Sequence, residues 1–148
     1  MNPTTITFGR DNAAPSLALE VLGYEHPDTV EPANLDLMRC RVTAQAGPVL
    51  APFDIAIALW ELLELRDYLA EINSGNGPGR TFALAGGLLS LSLAPTRRGP
   101  VLCAVMLKTI DASHVRLEFL ITLEPRNISR TLLQFSQLQI ALARSGTR

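Results

Sequence analysis

The chain has 148 residues, of which 47% are hydrophobic and 18% charged; it is long enough to bury a core, and its composition argues against an intrinsically disordered chain. Its formal net charge of −1 hides a division: residues 1–75 carry four arginines against eleven Asp/Glu, whereas residues 76–148 carry nine Arg/Lys against three Asp/Glu. The longest apolar run, around Ile55–Leu65, is broken by Glu61 and Glu64 and falls short of the roughly 20 residues of a spanning helix, which argues against a membrane role, while the anionic first half would repel a phosphate backbone and argues against nucleic acid.

Thr4–Phe8 fits a short first strand. In Ser16–Leu22, Leu17, Leu19 and Val21 alternate with Ser16, Ala18 and Glu20, the period-two signature of a half-buried strand. Residues 23–34 hold two prolines, no periodicity and no Lys or Arg, and read as an acidic loop. Met38, Cys40, Val42 and Ala44 then alternate, Ala46-Gly47-Pro48 signals a turn, and Val49, Ala51, Phe53, Ile55 and Ile57 alternate again, so residues 36–57 form a hairpin. Pro52 inside it marks an edge strand or a bulge. From Leu59 the period lengthens to 3.6: Leu59, Leu62, Leu63, Leu65, Leu69 and Ile72 make an apolar stripe and Glu61, Glu64, Asp67 and Glu71 face away from most of it. The Asn73–Gly79 segment, rich in Gly and ending in Pro-Gly, stops that helix.

The second half is mostly strand. Thr81–Ala85, Leu88–Leu93, Val101–Ile110 and Val115–Leu123 are separated by turns at Gly86-Gly87, Pro95–Pro100 and Asp111–Ser113. Pro125-Arg126-Asn127 ends the last strand, Asn127 is placed to cap a final helix, and Ile128, Leu132, Phe135, Leu138 and Leu142 would form its buried side. The whole reads as a single α+β domain over residues 1–148: mainly antiparallel sheet, about eight strands in two groups of four, with one amphipathic helix mid-chain and one at the C-terminus. The repeated order invites an internal duplication, although the residue patterns of the halves match poorly.

Reactive chemistry is sparse. Cys40 and Cys103 lie in apolar strands and read as buried reduced thiols, with a disulfide as the alternative. No CxxC or HExxH spacing occurs, and His26 and His114 lie far apart in sequence, so neither a metal nor another cofactor is expected. Neither histidine has a nucleophile or orienting partner nearby in sequence. Gly75-x-Gly77-x-Gly79 follows a helix and lacks a following Gly-Lys-Ser/Thr, which makes it a connector, not a phosphate loop. Arg97-Arg98 lacks an aromatic platform for bases. Trp60 and Tyr68 are either interface anchors or the rim of a core. No basic n-region and apolar h-region open the chain, and a cytoplasmic protein is expected.

The acidic residues offer the clearest candidate surface. Glu25, Asp28, Glu31 and Asp36 come from the loop and the following strand start, and Glu61, Glu64, Asp67 and Glu71 from one helix. They read either as two solvated surfaces or as a negative patch for a basic protein, where carboxylates speed association and aromatic anchors supply affinity.

Leu17–Leu22, then Gly23-Tyr24-Glu25-x-Pro27 and Ala33-Asn34-Leu35, resembles the WapI-type immunity proteins of bacterial contact-dependent polymorphic toxin systems. Glu61-Leu62 with Leu65-Arg66-Asp67-x-Leu69 is similar to that family's helix, and Val115-x-Leu117-x-Phe119-x-Ile121-x-Leu123 leading into an amphipathic helix is similar to its ending. The resemblance covers roughly residues 15–143; the family's Trp after Asn is Leu35 here and its next Leu is Asp36. It implies a non-enzymatic protein that binds and blocks a cognate toxin, with Tyr24, Glu25, Asp28, Glu31, Asn34 and Asp36 as the first contacts to test and Glu61, Glu64 and Asp67 the second. Asn34 also suits a turn that starts a strand, and Tyr24 a pin between loop and sheet. A small-molecule or accessory binding domain with a pocket between sheet and helices is the alternative, and an enzyme built from dispersed residues is a third class. A homo-oligomer, pairing the two oppositely charged halves head to tail, is a further option.

Overall fold

The structure, a computed structural model, describes residues 2–10, 13–28, 30–31, 36–75, 77–97, 99–109 and 115–145. Two four-stranded antiparallel meanders, each followed by a helix, make up the described residues. The first sheet holds β1 (Thr4–Gly9), β2 (Ser16–Tyr24), β3 (Leu37–Ala46) and β4 (Val49–Ala58), and α1 (Leu59–Asn73) follows it. The second holds β5 (Arg80–Leu84), β6 (Leu89–Pro95), β7 (Val101–Lys108) and β8 (Arg116–Leu123), and α2 (Pro125–Arg144) follows that. A single 3₁₀ turn, Ala85–Gly87, joins β5 to β6. This is the α+β architecture expected from the sequence, and among the described residues no helix is long and apolar enough to cross a membrane.

Alternation decides which face of each sheet is buried. Leu17, Leu19 and Val21 of β2 and Met38, Cys40, Val42 and Ala44 of β3 are fully buried, as are Leu89 and Leu91 of β6 and Cys103 of β7. Their cross-strand partners share the face: Leu19 lies opposite Val42, and Leu91 opposite Val105. Pro52 stands opposite Thr43 in an unbroken β3–β4 register. β4 ends its sheet, so Pro52 marks an edge, where a missing N–H is tolerated, and not a bulge.

The bulge lies elsewhere. The β2–β3 register shifts between Val21 and Gly23, and Gly23 has φ of 141°. The extra residue reverses the alternation. Tyr24 therefore pairs with the buried Met38 and turns its ring against the core, instead of joining Glu20 on the outer face.

The halves interlock. α1 follows the first sheet, yet its Tyr68 ring lies 5.4 Å from Phe82 of β5 and its Glu64 pairs with Arg80 of β5 at 3.4 Å. α2 follows the second sheet, yet it lies along β1. The helices also touch each other, and β1 approaches β8 while β4 approaches the 3₁₀ turn. One cluster of buried residues runs through both sheets and both helices, from Phe8 and Leu19 to Leu91 and Ile121, with Leu65, Leu69, Phe135 and Leu138 between.

Of two helix details, the sequence reading left one open and misplaced the other. Tyr68 belongs to the core and not to an interface, because its position on α1 faces β5: it is 4% exposed and its hydroxyl donates to the Pro78 carbonyl at 2.7 Å. Asn127 is not the cap of α2. The helix starts two residues earlier at Pro125, a residue suited to a first turn because it lacks an N–H, and the Asn127 side chain accepts from the Glu124 N–H at 3.0 Å.

Candidate partner-binding surface

Backbone hydrogen bonds gather several of the candidate carboxylates at one end of the first sheet. The Glu25 N–H donates to the Leu37 carbonyl at 2.8 Å, and the Leu59 N–H, one of the orphan donors of α1, donates to the Asp36 carbonyl at 2.7 Å. Glu61 closes the same end: its carboxylate accepts from the Ala58 N–H at 3.0 Å, the reciprocal half of a capping box. The bases of the acidic loop, the β3 start and the α1 N-terminus thus meet, with Glu25 and Asp36 exposed and Glu61 half-buried. Asp28 and Glu31 are exposed; Asn34 lies outside the described residues. Tyr24 is half-buried against the core, the pinning role rather than that of a free surface residue.

The other candidates run down α1. Its buried side is Leu62, Leu65, Tyr68, Leu69 and Ile72, which leaves Trp60, Glu64, Asp67 and Glu71 on the outside. Their spacing, i, i+4, i+7 and i+11, makes one straight stripe on a 3.6-residue helix. Trp60 is 58% exposed, and the Glu64 and Asp67 side chains are 51% and 68% exposed. Sequence reasoning separated this Trp from the acids; the spacing that unites them was readable once the buried side of the helix was known.

Two of these acids already have basic neighbours. Asp67 contacts Arg66 at 2.6 Å, and Glu64 contacts Arg80, whose guanidinium also lies 4.4 Å from the centre of the Phe82 ring. Both ion pairs are solvent-exposed and contribute at most about 1 kcal/mol, so a stronger cationic partner can compete for either carboxylate.

Nothing else among the described residues gathers into a reactive centre. No three His, Cys, Asp or Glu side chains are grouped as metal ligands. Cys40 and Cys103 are buried free thiols on different sheets. Burial pushes both up to about 12, and for Cys40 the nearby Glu25 adds to the rise while a hydrogen bond from the Ile57 backbone opposes it; a thiol held protonated is a poor nucleophile. Burial, then Glu71, raises the Tyr68 phenol, against the opposing Arg80. His26 is exposed, and His114 and Arg98 lie outside the described residues. A cleft of about 210 Å³ opens where α1 ends and α2 begins, beside Gly75, Gly77 and Arg97; it is smaller than the roughly 300 Å³ at which ligand pockets begin.

No family model, curated protein or solved structure matches the chain.

Proposed function

We propose that this chain is a non-enzymatic, immunity-like protein that binds a basic protein toxin in the cytoplasm of the producing cell and occludes its working surface. The α1 stripe carries the reading: an exposed indole at Trp60 aligned with Glu64, Asp67 and Glu71, and continued past the helix N-terminus by Asp36 and Glu25. Trp is among the side chains enriched at the anchors of protein interfaces. Carboxylates around such an anchor steer a cationic partner and reject anionic ones. The likeness of residues 17–35 to WapI-type immunity proteins supports a non-enzymatic, toxin-binding role.

Inhibition then needs no chemistry from this chain. The partner is held by burial of Trp60 and by replacement of the weak Arg66–Asp67 and Arg80–Glu64 pairs with charges from the toxin. The test is co-expression with the product of the adjacent gene, scored by growth rescue and co-purification. Rescue by the wild type is expected. Changing Glu25, Asp28 and Glu31 together to Lys slows association by about tenfold or more at low salt, and Trp60→Ala speeds dissociation. Undiminished binding by both variants would remove the acidic surface from the account.

A further inference from the structure

A cation from the basic half of the chain sits against the acidic stripe of α1. Arg80 opens β5, and its guanidinium lies 3.4 Å from the Glu64 carboxylate, with both side chains partly exposed. The same guanidinium rests 4.4 Å from the centre of the Phe82 ring. Phe82 is buried, with the Tyr68 ring 5.4 Å away. The backbone that carries Arg80 is fixed by its neighbours. The Pro78 carbonyl accepts from the Tyr68 hydroxyl at 2.7 Å. Gly79 runs so close to β6 that a Cβ would come within 3.0 Å of the Leu93 carbonyl oxygen, and Arg80 itself lies opposite Leu93 in the sheet.

Arg66 is placed differently: it adjoins Asp67 on the same helix, whereas Arg80 is delivered to the stripe from another sheet. A guanidinium stacked on an aromatic face keeps that contact when its carboxylate turns elsewhere. Glu64 can therefore be released while Arg80 stays over Phe82. A partner that takes Glu64 then meets a fixed positive charge beside it. Such a partner must bring a cation to Glu64 and a hydrogen-bond acceptor to Arg80. A uniformly cationic chain satisfies the first demand and is repelled by the second. Rejection through a built-in repulsive element is one of the two routes to specificity.

We infer that Arg80 is a specificity-determining residue of the α1 surface: a fixed counter-ion that shields Glu64 from indiscriminate cations and admits a partner whose basic group is accompanied by an acceptor. The inference rests on the toxin-binding reading for its partner, but the shielding is a property of this chain alone. An exposed ion pair of this kind alters binding by no more than about fivefold. Arg80 therefore tunes the surface and does not close it.

The single tryptophan of the chain, Trp60, lies one turn before Glu64 on α1, so its fluorescence reports occupancy of the stripe. Octa-arginine, a cation with no acceptor side chains, is the probe, titrated into the purified chain in about 0.05 M salt to limit screening. Arg80→Met is expected to bind it about two- to fivefold more tightly than the wild type. Glu64→Gln binds it more weakly, and Arg80→Met added to Glu64→Gln gives no gain, because the two residues act as one pair. Arg116→Met releases Glu118 on β8 instead and changes binding little, which separates the local effect from net charge. Arg80→Gln repeats the gain should circular dichroism show the Met variant to be misfolded. Equal binding by the wild type and the Arg80 variants, a gain that persists without the Glu64 carboxylate, the same gain from Arg116→Met, or no binding of octa-arginine by any variant would each overturn the proposal. Growth rescue is read separately: rescue without this gain removes the role of Arg80 alone, and the gain without rescue removes the toxin alone.

Discussion

Thr131 Oγ1 donates to the Thr7 carbonyl at 2.6 Å, so a helix that follows the second sheet closes the open edge of the first. The Thr7 N–H donates to Gln134 Oε1 at 2.6 Å, and the Arg130 guanidinium donates to the Gly9 carbonyl. An unpaired strand edge is a template for aggregation; here polar side chains from one face of α2 satisfy it and join the halves of the chain. Thr131→Val keeps the shape but removes the donor. It is expected to destabilise the fold by about 1–2 kcal/mol, and Gln134→Ala to act on the same edge, so that the pair is non-additive. Urea melts of the two single variants and the double variant measure this; strict additivity would contradict a shared edge.

Tyr68 ties the connector after α1 to the core through its hydroxyl on the Pro78 carbonyl. Tyr68→Phe is expected to lower stability by about 1 kcal/mol through that bond alone, and Tyr68→Ala by about 3–5 kcal/mol through the lost packing on Phe82. Equal effects of the two changes would mean that the ring is not held as described.

Gly9 ends β1 with φ of 98°, where a Cβ would lie 2.9 Å from the Pro15 carbonyl oxygen and 3.2 Å from Ile121 Cγ2. Both the backbone conformation and the approach of β8 require glycine. Gly9→Ala is expected to destabilise by about 2 kcal/mol or more. A thermal midpoint equal to the wild type would show that the strand end can move.

Alkaline pH should weaken the fold through its thiols. Cys40 and Cys103 are raised from 9.0 to about 12 in the folded chain. Above pH 9 the unfolded chain loses thiol protons that the folded chain retains, so stability is full below pH 9 and drains away as pH climbs toward 12. Replacing both with alanine is expected to flatten that limb of the stability profile. In the native protein both thiols should resist iodoacetamide at pH 8 and react on unfolding; rapid native labelling would place them nearer the surface.

Trp60 separates binding from folding. Trp60→Ala is expected to change stability by less than about 0.5 kcal/mol, whereas Leu65→Ala, fully buried one turn on, is expected to cost about 2–5 kcal/mol. Chemical denaturation of the two variants checks the contrast, and a large loss for Trp60→Ala would make the indole a structural residue.

Much of this architecture was legible locally. Each half-buried strand repeats every two residues and each helix every 3.6, so the strands around Leu19, Val42, Leu91 and Ile121 and the helices around Leu65 and Phe135 could be read from the spacing of apolar side chains. The charge division and the buried thiols were equally visible. The pinning role of Tyr24 depended on the one-residue bulge before it, which no periodicity reports, because the bulge is fixed by the register with β3.

What the sequence determined by itself is the set of elements and the inward face of each, since both follow from a residue's near neighbours along the chain. What only the tertiary structure decided is partnership: α2 on the edge of β1, Tyr68 against β5, and Trp60 in line with three carboxylates on the outside. Those relations join residues up to 127 positions apart. They are set by which surfaces remain to be covered once every element has formed, and that is a property of the assembled molecule.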